Sequence, residues 1–443
     1  LLSNLDNVSV TPTAVSDQDN TSTGQFVLPE GTTAQRPVTS YSGAQRFNTD
    51  LSVMEYYNGT IWLKISAEQT RLNSVSGTIY VGLETTLTLS GQGFLTDDIT
   101  VNFTQVSDGI DEDVTVTASS DTSATVTVPS AVYSNVTAGN AVTITVTNTD
   151  NTTSDGVNTT VIGLPTGGTI TTYSTYRVHT FLSSDDLVVP TGFPTTSVDY
   201  LLVAGGGTGG ERHAGGGGAG GMLAGTSSIT PQTYPIVVGA GGSITFTGGK
   251  LGINGNDSTA LGLTAVGGGG GGGNAQLGNS GGSGGGSGER QNSTSQGSGT
   301  SGQGNSGGHV NTSNYAGGAG GGGKGAAGGN GPTSSGQVPG NGGNGAQNSI
   351  RTGSNQYYAG GGGGGGYNQP TTGTSSGGLG GGAAGGLWIS GTYTTINTAP
   401  SGQANTGGGG GGGMTDGNIN LVNGAAGNGG SGICVIRYDT SSL

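Results

Sequence analysis

The sequence is short of nearly everything that usually builds a protein interior or a reactive centre. Cys434 is the only cysteine in 443 residues. A disulfide framework and a multi-cysteine metal site are therefore excluded. The three histidines, His179, His213 and His309, lie far apart, outside metal-ligand spacing. Lysine and arginine total 11 and never cluster. That argues against a nucleic-acid partner, because phosphate binding needs grouped cations. No run of about 18 apolar residues occurs, so no membrane insertion is expected. No signal-peptide pattern opens the chain, and its first residue is leucine, which suits a mature or partial product.

Glycine is the excess. Of 101 glycines, 15 lie in residues 1–200, leaving 86 in residues 201–443. Charge divides at the same place: residues 1–200 hold 20 acidic and 5 basic side chains, and the remainder hold 5 and 6. Two physically different parts meet near residue 200.

The first part reads as mainly β. Residues 1–23 are polar and aperiodic, an attachment segment or linker. Residues 24–71 form a small module in which Val53–Tyr57 and Ile61–Leu63 flank Asn58-Gly59, a strong hairpin signal. Residues 72–164 carry short alternating runs (78–81, 86–90, 99–103, 114–118, 124–128 and 142–147) that predict an Ig-like β-sandwich. Further strands are expected near 176–203, 234–247, including Ile244–Thr247, and 432–438.

The second part poses a choice at "VDYLLVAGGGTGGERHAGGGGAGG", residues 198–221. A strand leading into Gly205-x-Gly207-x-x-Gly210 resembles a dinucleotide turn, which requires a following helix. Four more glycines follow instead, so that reading fails. Three heptaglycine runs, 267–273, 360–366 and 407–413, match in length, and an apolar strand, "GICVIRY", closes the region. A flexible linker needs neither feature. Matched runs suit left-handed rods of three residues per turn, whose outward N–H and C=O groups bond to neighbouring rods. Only glycine permits that approach. The fold expected for residues 165–443 is thus packed polyglycine type II helices on a β framework.

The stretches "VHTFLSSDDLVVPTGFPTTSVDYLLVAGGGTGG" and "GGSGICVIRY" resemble the glycine-rich domain of bacteriophage tail fibres and virion appendages. The run-and-loop design is similar to polyglycine-helix adhesins at tail-fibre tips. "GAQRFNTD" and "EYYNGTIW" resemble a small virion module, and "GQGF" with "ITVTNTDNTTSD" resembles IPT/TIG Ig-like domains. The resemblance implies a non-enzymatic protein of the virion surface with no cofactor. It implies attachment to other virion proteins through residues 1–71, self-association, and recognition of a host glycan or outer-membrane protein. Head decoration and ice-binding or matrix roles are the alternatives.

Alternating rods up and down sorts the loops. One end receives Arg212, His213, His309, Tyr315, Tyr367, Asn368 and Gln369 as the receptor-binding set, with tyrosines for sugar faces and amides for hydroxyls. The other receives Arg290, Tyr357, Tyr358, Trp388 and Tyr393. Asp108, Asp111, Glu112 and Asp113 could offer Ca²⁺ oxygens, but a solvated loop is the simpler reading. No carboxylate pair suits a hydrolase.

Overall fold

The computed structural model describes residues 28–38, 40–65, 70–94, 98–245, 250–334, 337–366, 374–386, 398–414 and 425–443. They divide into two compact units. One comprises the described residues within Leu1–Gly77, Thr85–Val132 and Val142–Thr159; the other comprises Thr78–Glu84, Tyr133–Ala141 and those within Thr160–Leu443. The boundary expected near residue 164 is therefore interleaved.

In the first unit, Val53–Tyr57 and Trp62–Ile65 pair antiparallel about Asn58-Gly59, as the hairpin signal predicts. The Asn58 carboxamide oxygen accepts from the Thr60 and Ile61 amides at 2.9 Å each, and Gly59 takes φ +100°. Gln45–Asn48 and the short Glu30–Gly31 complete a four-stranded sheet. This module is too small for an oily core and has a polar centre instead. Glu55 is fully buried, ion-paired with Arg36 and hydrogen-bonded by the Asn48 amide at 2.8 Å. Glu55→Gln should loosen the module by about 2 kcal/mol, the scale of a hydrogen bond to a charged group. Faster amide exchange across 45–57 in the full chain checks it.

The rest of that unit is antiparallel β. Thr86–Gln92 lies between Arg71–Ser76 and Ser123–Thr127, and Asp98–Gln105 lies between Ile110–Thr117 and Ala141–Thr147. Burial alternates along each strand, through Leu87 and Leu89, Ile99, Val101 and Phe103, and Val142, Ile144 and Val146. That is the period-two pattern of strands with one face inward. Arg71–Ser76 carries little alternation because its register shifts between Leu72 and Ser74.

The second unit has a five-stranded antiparallel sheet in the order Thr169–Tyr173, Tyr176–Phe181, Ile433–Asp439, Thr196–Val203, Met222–Ile229. The closing strand of the chain is thus the central one. Both faces of the sheet are covered. Phe181, Leu202, Cys434 and Ile436 join one apolar cluster, while Val178, Leu201, Val203 and Val435 join another. This explains why "LLV" and "CVI" read as continuous apolar runs. The expected strand at Ile244–Thr247 is not formed: Ile244 and Thr245 carry no strand pairing, and 246–249 lie outside the described residues. Gln232–Ile236 is the strand in that region, paired with Asp185–Val189.

The glycine-rich segments form no sheet; they hydrogen-bond with a period of three. From Ala214, every third amide (214, 217, 220) donates to Gly413, Gly410 and Gly407 at 2.9–3.0 Å. The next set, Gly215, Gly218 and Gly221, donates to Gly272, Gly269 and Val266, and the third, Gly216 and Ala219, to Ala319 and Gly322. The carbonyls follow the same rule. They accept from Ala204, Gly207 and Gly210, from Ser283 and Gly286, and from Gly362 and Gly365. Segment 214–221 is therefore enclosed by six neighbours, one parallel to it and five antiparallel. Each bond contributes about 1 kcal/mol net, offsetting the entropy lost when glycine is ordered.

At the rim, side chains replace missing neighbours. The side-chain Oδ1 atoms of Asn254 and Asp257 accept from the Gly270 and Gly267 amides at 2.9 and 2.7 Å, and those of Asn341 and Asn344 accept from the Ser376 and Leu379 amides at 2.8 and 3.0 Å. Both pairs are three residues apart, matching the backbone period.

Candidate functional site at the loop end of the glycine bundle

The glycine segments run between two ends of this unit. The strand end lies beside Val203, Val266, Tyr358 and Gly432, where the sheet continues. At the opposite end the chain reverses repeatedly, and this loop end gathers most of the expected site.

The first reversal is Arg212-His213. Both residues are left-handed, at φ +68° and +48°, and they turn the chain so that the Gly210 amide donates to the Gly215 carbonyl at 3.0 Å. His213 is only 2% exposed, and its Nδ1 lies 3.3 Å from the Gly366 carbonyl. It therefore serves the interior of this end, not its surface, and the expectation that it contacts a receptor is corrected. Arg212 is half-buried, and its Nε meets no partner at hydrogen-bond distance among the described residues. The Gly205-x-Gly207-x-x-Gly210 amides donate to Asn256, Gly218 and Gly215, so they are engaged within the bundle and cradle no phosphate.

Arg290 stands at this same end, which corrects its expected placement beside the strands. The Glu289 amide donates to the His213 carbonyl at 3.1 Å. The Arg290 guanidinium lies 4.4 Å from the Tyr315 ring centre, and its Nη1 donates to the Tyr315 hydroxyl at 3.0 Å. Arg290 is exposed and Tyr315 is 47% exposed. His309 is half-buried nearby in sequence, its amide donating to Asn330 at 3.2 Å. The displacement of Arg290 has a clear cause. Residues 274–280 are not one loop: after a turn at 274–275, Gly288 and Gly285 donate to the carbonyls of Gln276 and Asn279, so 276–280 form a further segment of the bundle and reverse the count.

Beneath the surface lies Glu289, fully buried. Its Oε1 accepts from the Asn274 side-chain amide at 3.1 Å, and its Oε2 meets no partner of good hydrogen-bond geometry among the described residues. Burial pushes its carboxyl up to about 7, against the attraction of Arg290 and Arg212 and the amides of Ala316 and Gly317. A raised carboxyl favours the folded state fully below about 4.5, and that contribution fades as pH rises through about 7. Glu289→Gln should thus raise stability at pH 8 by about 1–2 kcal/mol, less than the linkage limit because the new amide faces backbone donors. At pH 5 the two proteins should melt alike; paired thermal scans read the difference.

Tyr367, Asn368, Gln369, Trp388 and Tyr393 lie outside the described residues. The flanks are informative. Gly366 donates to Gly386, and Gly386 to Gly412, while Ala399 donates to Ala425. Segments 367–373, 387–397 and 415–424 are thus all flanked by residues of the loop end.

At the strand end, Tyr358 is buried in the apolar cluster with Val203 and Ile433, a packing role. Tyr357 is exposed beside Arg351, Gln403 and Asn405 around an open depression of about 410 Å³. In the first unit, Asp111 and Asp113 both accept from the Asn102 amide, at 2.9 and 2.8 Å. Among the described residues, no group of three metal-ligating side chains converges, and no helix is long and apolar enough to cross a membrane.

A family model described as a glycine-rich domain matches residues 183–439. Among solved structures, the FN1–FN3 domains of chicken CNTN1 align with 42% of this chain and 67% of theirs, at 10% identity and a TM-score of 0.17, a likeness too slight to carry an argument. Comparison with curated proteins finds no match.

Proposed function

The chain belongs to the glycine-rich domain family, and from that premise we propose that it is a bacteriophage virion appendage, a tail-fibre-like adhesin that binds the host surface through the loop end of a polyglycine-helix bundle. The three-residue period and the six-fold enclosure of segment 214–221 support the rod reading. Such rods give a stiff platform without an oily core, and stiffness lets the loops at one end vary while the framework stays fixed. The observation that carries the proposal is the gathering of loops at that end. The 211–214 and 289–292 turns meet there, with Arg290 stacked on Tyr315. The role is recognition rather than catalysis, with attachment to other virion proteins through residues 1–71 and with self-association.

The test is saturable binding of the labelled chain to a panel of bacterial cells. Replacing 367–373 by a short glycine-serine turn should abolish or redirect binding while the melting temperature holds. Binding that survives this change and the equivalent replacement of 387–397 would contradict the reading.

A further inference from the structure

The loop end has a chemical bias that the adhesin reading alone does not specify. Its described ionisable side chains at the surface are cationic: Arg212, Arg290 and Lys250, the last placed there because the Glu211 amide donates to its carbonyl at 3.0 Å. Among the described residues of this end, the acidic ones, Glu211 and Glu289, are both fully buried. Glu211 accepts from the Lys250 amide, and burial raises the Glu289 carboxyl to about 7. Both carboxylates lie beneath the surface, so the groups offered to a ligand there are the cations.

Arg212, Arg290 and Asn292 turn the chain in left-handed conformations, at φ +68°, +59° and +44°. A side chain there costs about 1 kcal/mol that glycine avoids. Other left-handed positions of the unit use glycine, as at Gly302 and Gly353, or a side chain, as at Ser174, Leu261, Ala275 and Ala359.

From the Arg290–Tyr315 stack and its neighbour Arg212 we infer that the ligand is an anionic glycan, a sugar bearing a carboxylate or a phosphate. Guanidinium forks pair with either group through two parallel hydrogen bonds. The half-exposed Tyr315 ring supplies the flat face for the pyranose beside it. Arg290 is already held by the tyrosine hydroxyl, so less side-chain freedom is lost on binding. The chain as a whole carries −14 and repels polyanions. Affinity for one must therefore be local to this end. The inference rests on the adhesin reading and names its ligand class.

The experiment measures retention of the full chain, at low salt, on immobilised polygalacturonate, phosphomannan and neutral dextran. Binding to one or both anionic polymers but not to dextran is expected; which polymer binds tells carboxylate from phosphate. Arg290→Gly and Arg212→Gly should each lower retention at least tenfold, while the melting temperature stays level or rises because glycine relieves the left-handed turn. Arg290→Lys should recover only part. Binding to dextran equal to that of the anionic polymers, no binding to either anion, or anion binding that persists in the doubly substituted chain overturns the inference. If the double variant still adsorbs to cells as the parent does, the anionic class fails and the adhesin reading stands. If the loop replacements also leave adsorption unchanged, both fail.

Discussion

Gly217→Ala should destabilise the glycine-rich unit by about 4 kcal/mol or more, although it adds one methyl group and removes no side chain. A Cβ at that position would sit 2.2 Å from the Gly207 carbonyl oxygen and 2.7 Å from that of Thr208. Neither atom can give way, because both belong to a neighbouring rod held by its own bonds. Relief requires the rods to part. That breaks bonds between the two segments, from Gly207 to Gly218 at 2.9 Å and from Gly210 to Gly215 at 3.0 Å. Two bonds at about 1 kcal/mol each add to an overpacking cost of about 1–3 kcal/mol. Against a total stability of roughly 5–15 kcal/mol this is a large loss. The expected fall in melting temperature is about 10 °C for a unit of this size. Gly163→Ala is the control: its nearest neighbour would be the Ala138 methyl at 3.3 Å, and little change is expected. The rule is positional, since Ala219 sits in the same rod with its methyl in the apolar cluster of Val203 and Met222.

Acidification should cost the same unit about 3 kcal/mol through His179. This side chain is fully buried in the central sheet, stacked on Tyr438 at 6.0 Å, with Nδ1 2.9 Å from the Gly167 carbonyl. Its Nε2, the Tyr438 hydroxyl and the Arg177 Nε all lack hydrogen-bond partners among the described residues. Burial lowers its value to about 4, and Arg177 adds to the lowering while the Gly167 bond opposes it. The folded state therefore resists a proton that the unfolded chain accepts at about 6.5. Stability is full above that value and is lost as pH falls towards about 4, by about 1.4 kcal/mol per unit of separation. Glu289 slopes the opposite way over much of the same range, so the parent protein should show a shallow profile. His179→Phe should remove the acid loss and leave only the alkaline one. A variant still losing stability between pH 6.5 and 4 would show that His179 is not its source.

Much of this architecture is visible in the residues themselves. Alternation locates the strands at 86–92, 98–105 and 141–147 because each buries one face only. Asn58-Gly59 locates its hairpin because few other residues accept that turn. Pure, matched glycine runs signal backbone packing, and the chain does hydrogen-bond there with a period of three. Which rod neighbours which is illegible, because a polyglycine surface carries no side-chain code for its partners. The up-and-down order of the segments is hidden for a related reason. Residues 276–279, "QLGN", join the bundle although mostly not glycine, since a rim position leaves side chains room outward. The three-residue spacing of Asn254 with Asp257, and of Asn341 with Asn344, is the signal that marks such rim rods. Burial of His213 and Glu289 depends on how several distant turns meet at one end, which no local pattern contains.

The account stands on backbone-to-backbone bonding holding the C-terminal half solid. Residue-resolved hydrogen–deuterium exchange of the intact chain tests this directly. Amides of 214–221, which have six neighbouring segments and no sheet pairing except at the edge of the Met222 strand, should be protected as strongly as those of Thr196–Val203 in the central sheet. Exchange across 214–221 at the rate of an unfolded peptide, with Thr196–Val203 still protected, would contradict it.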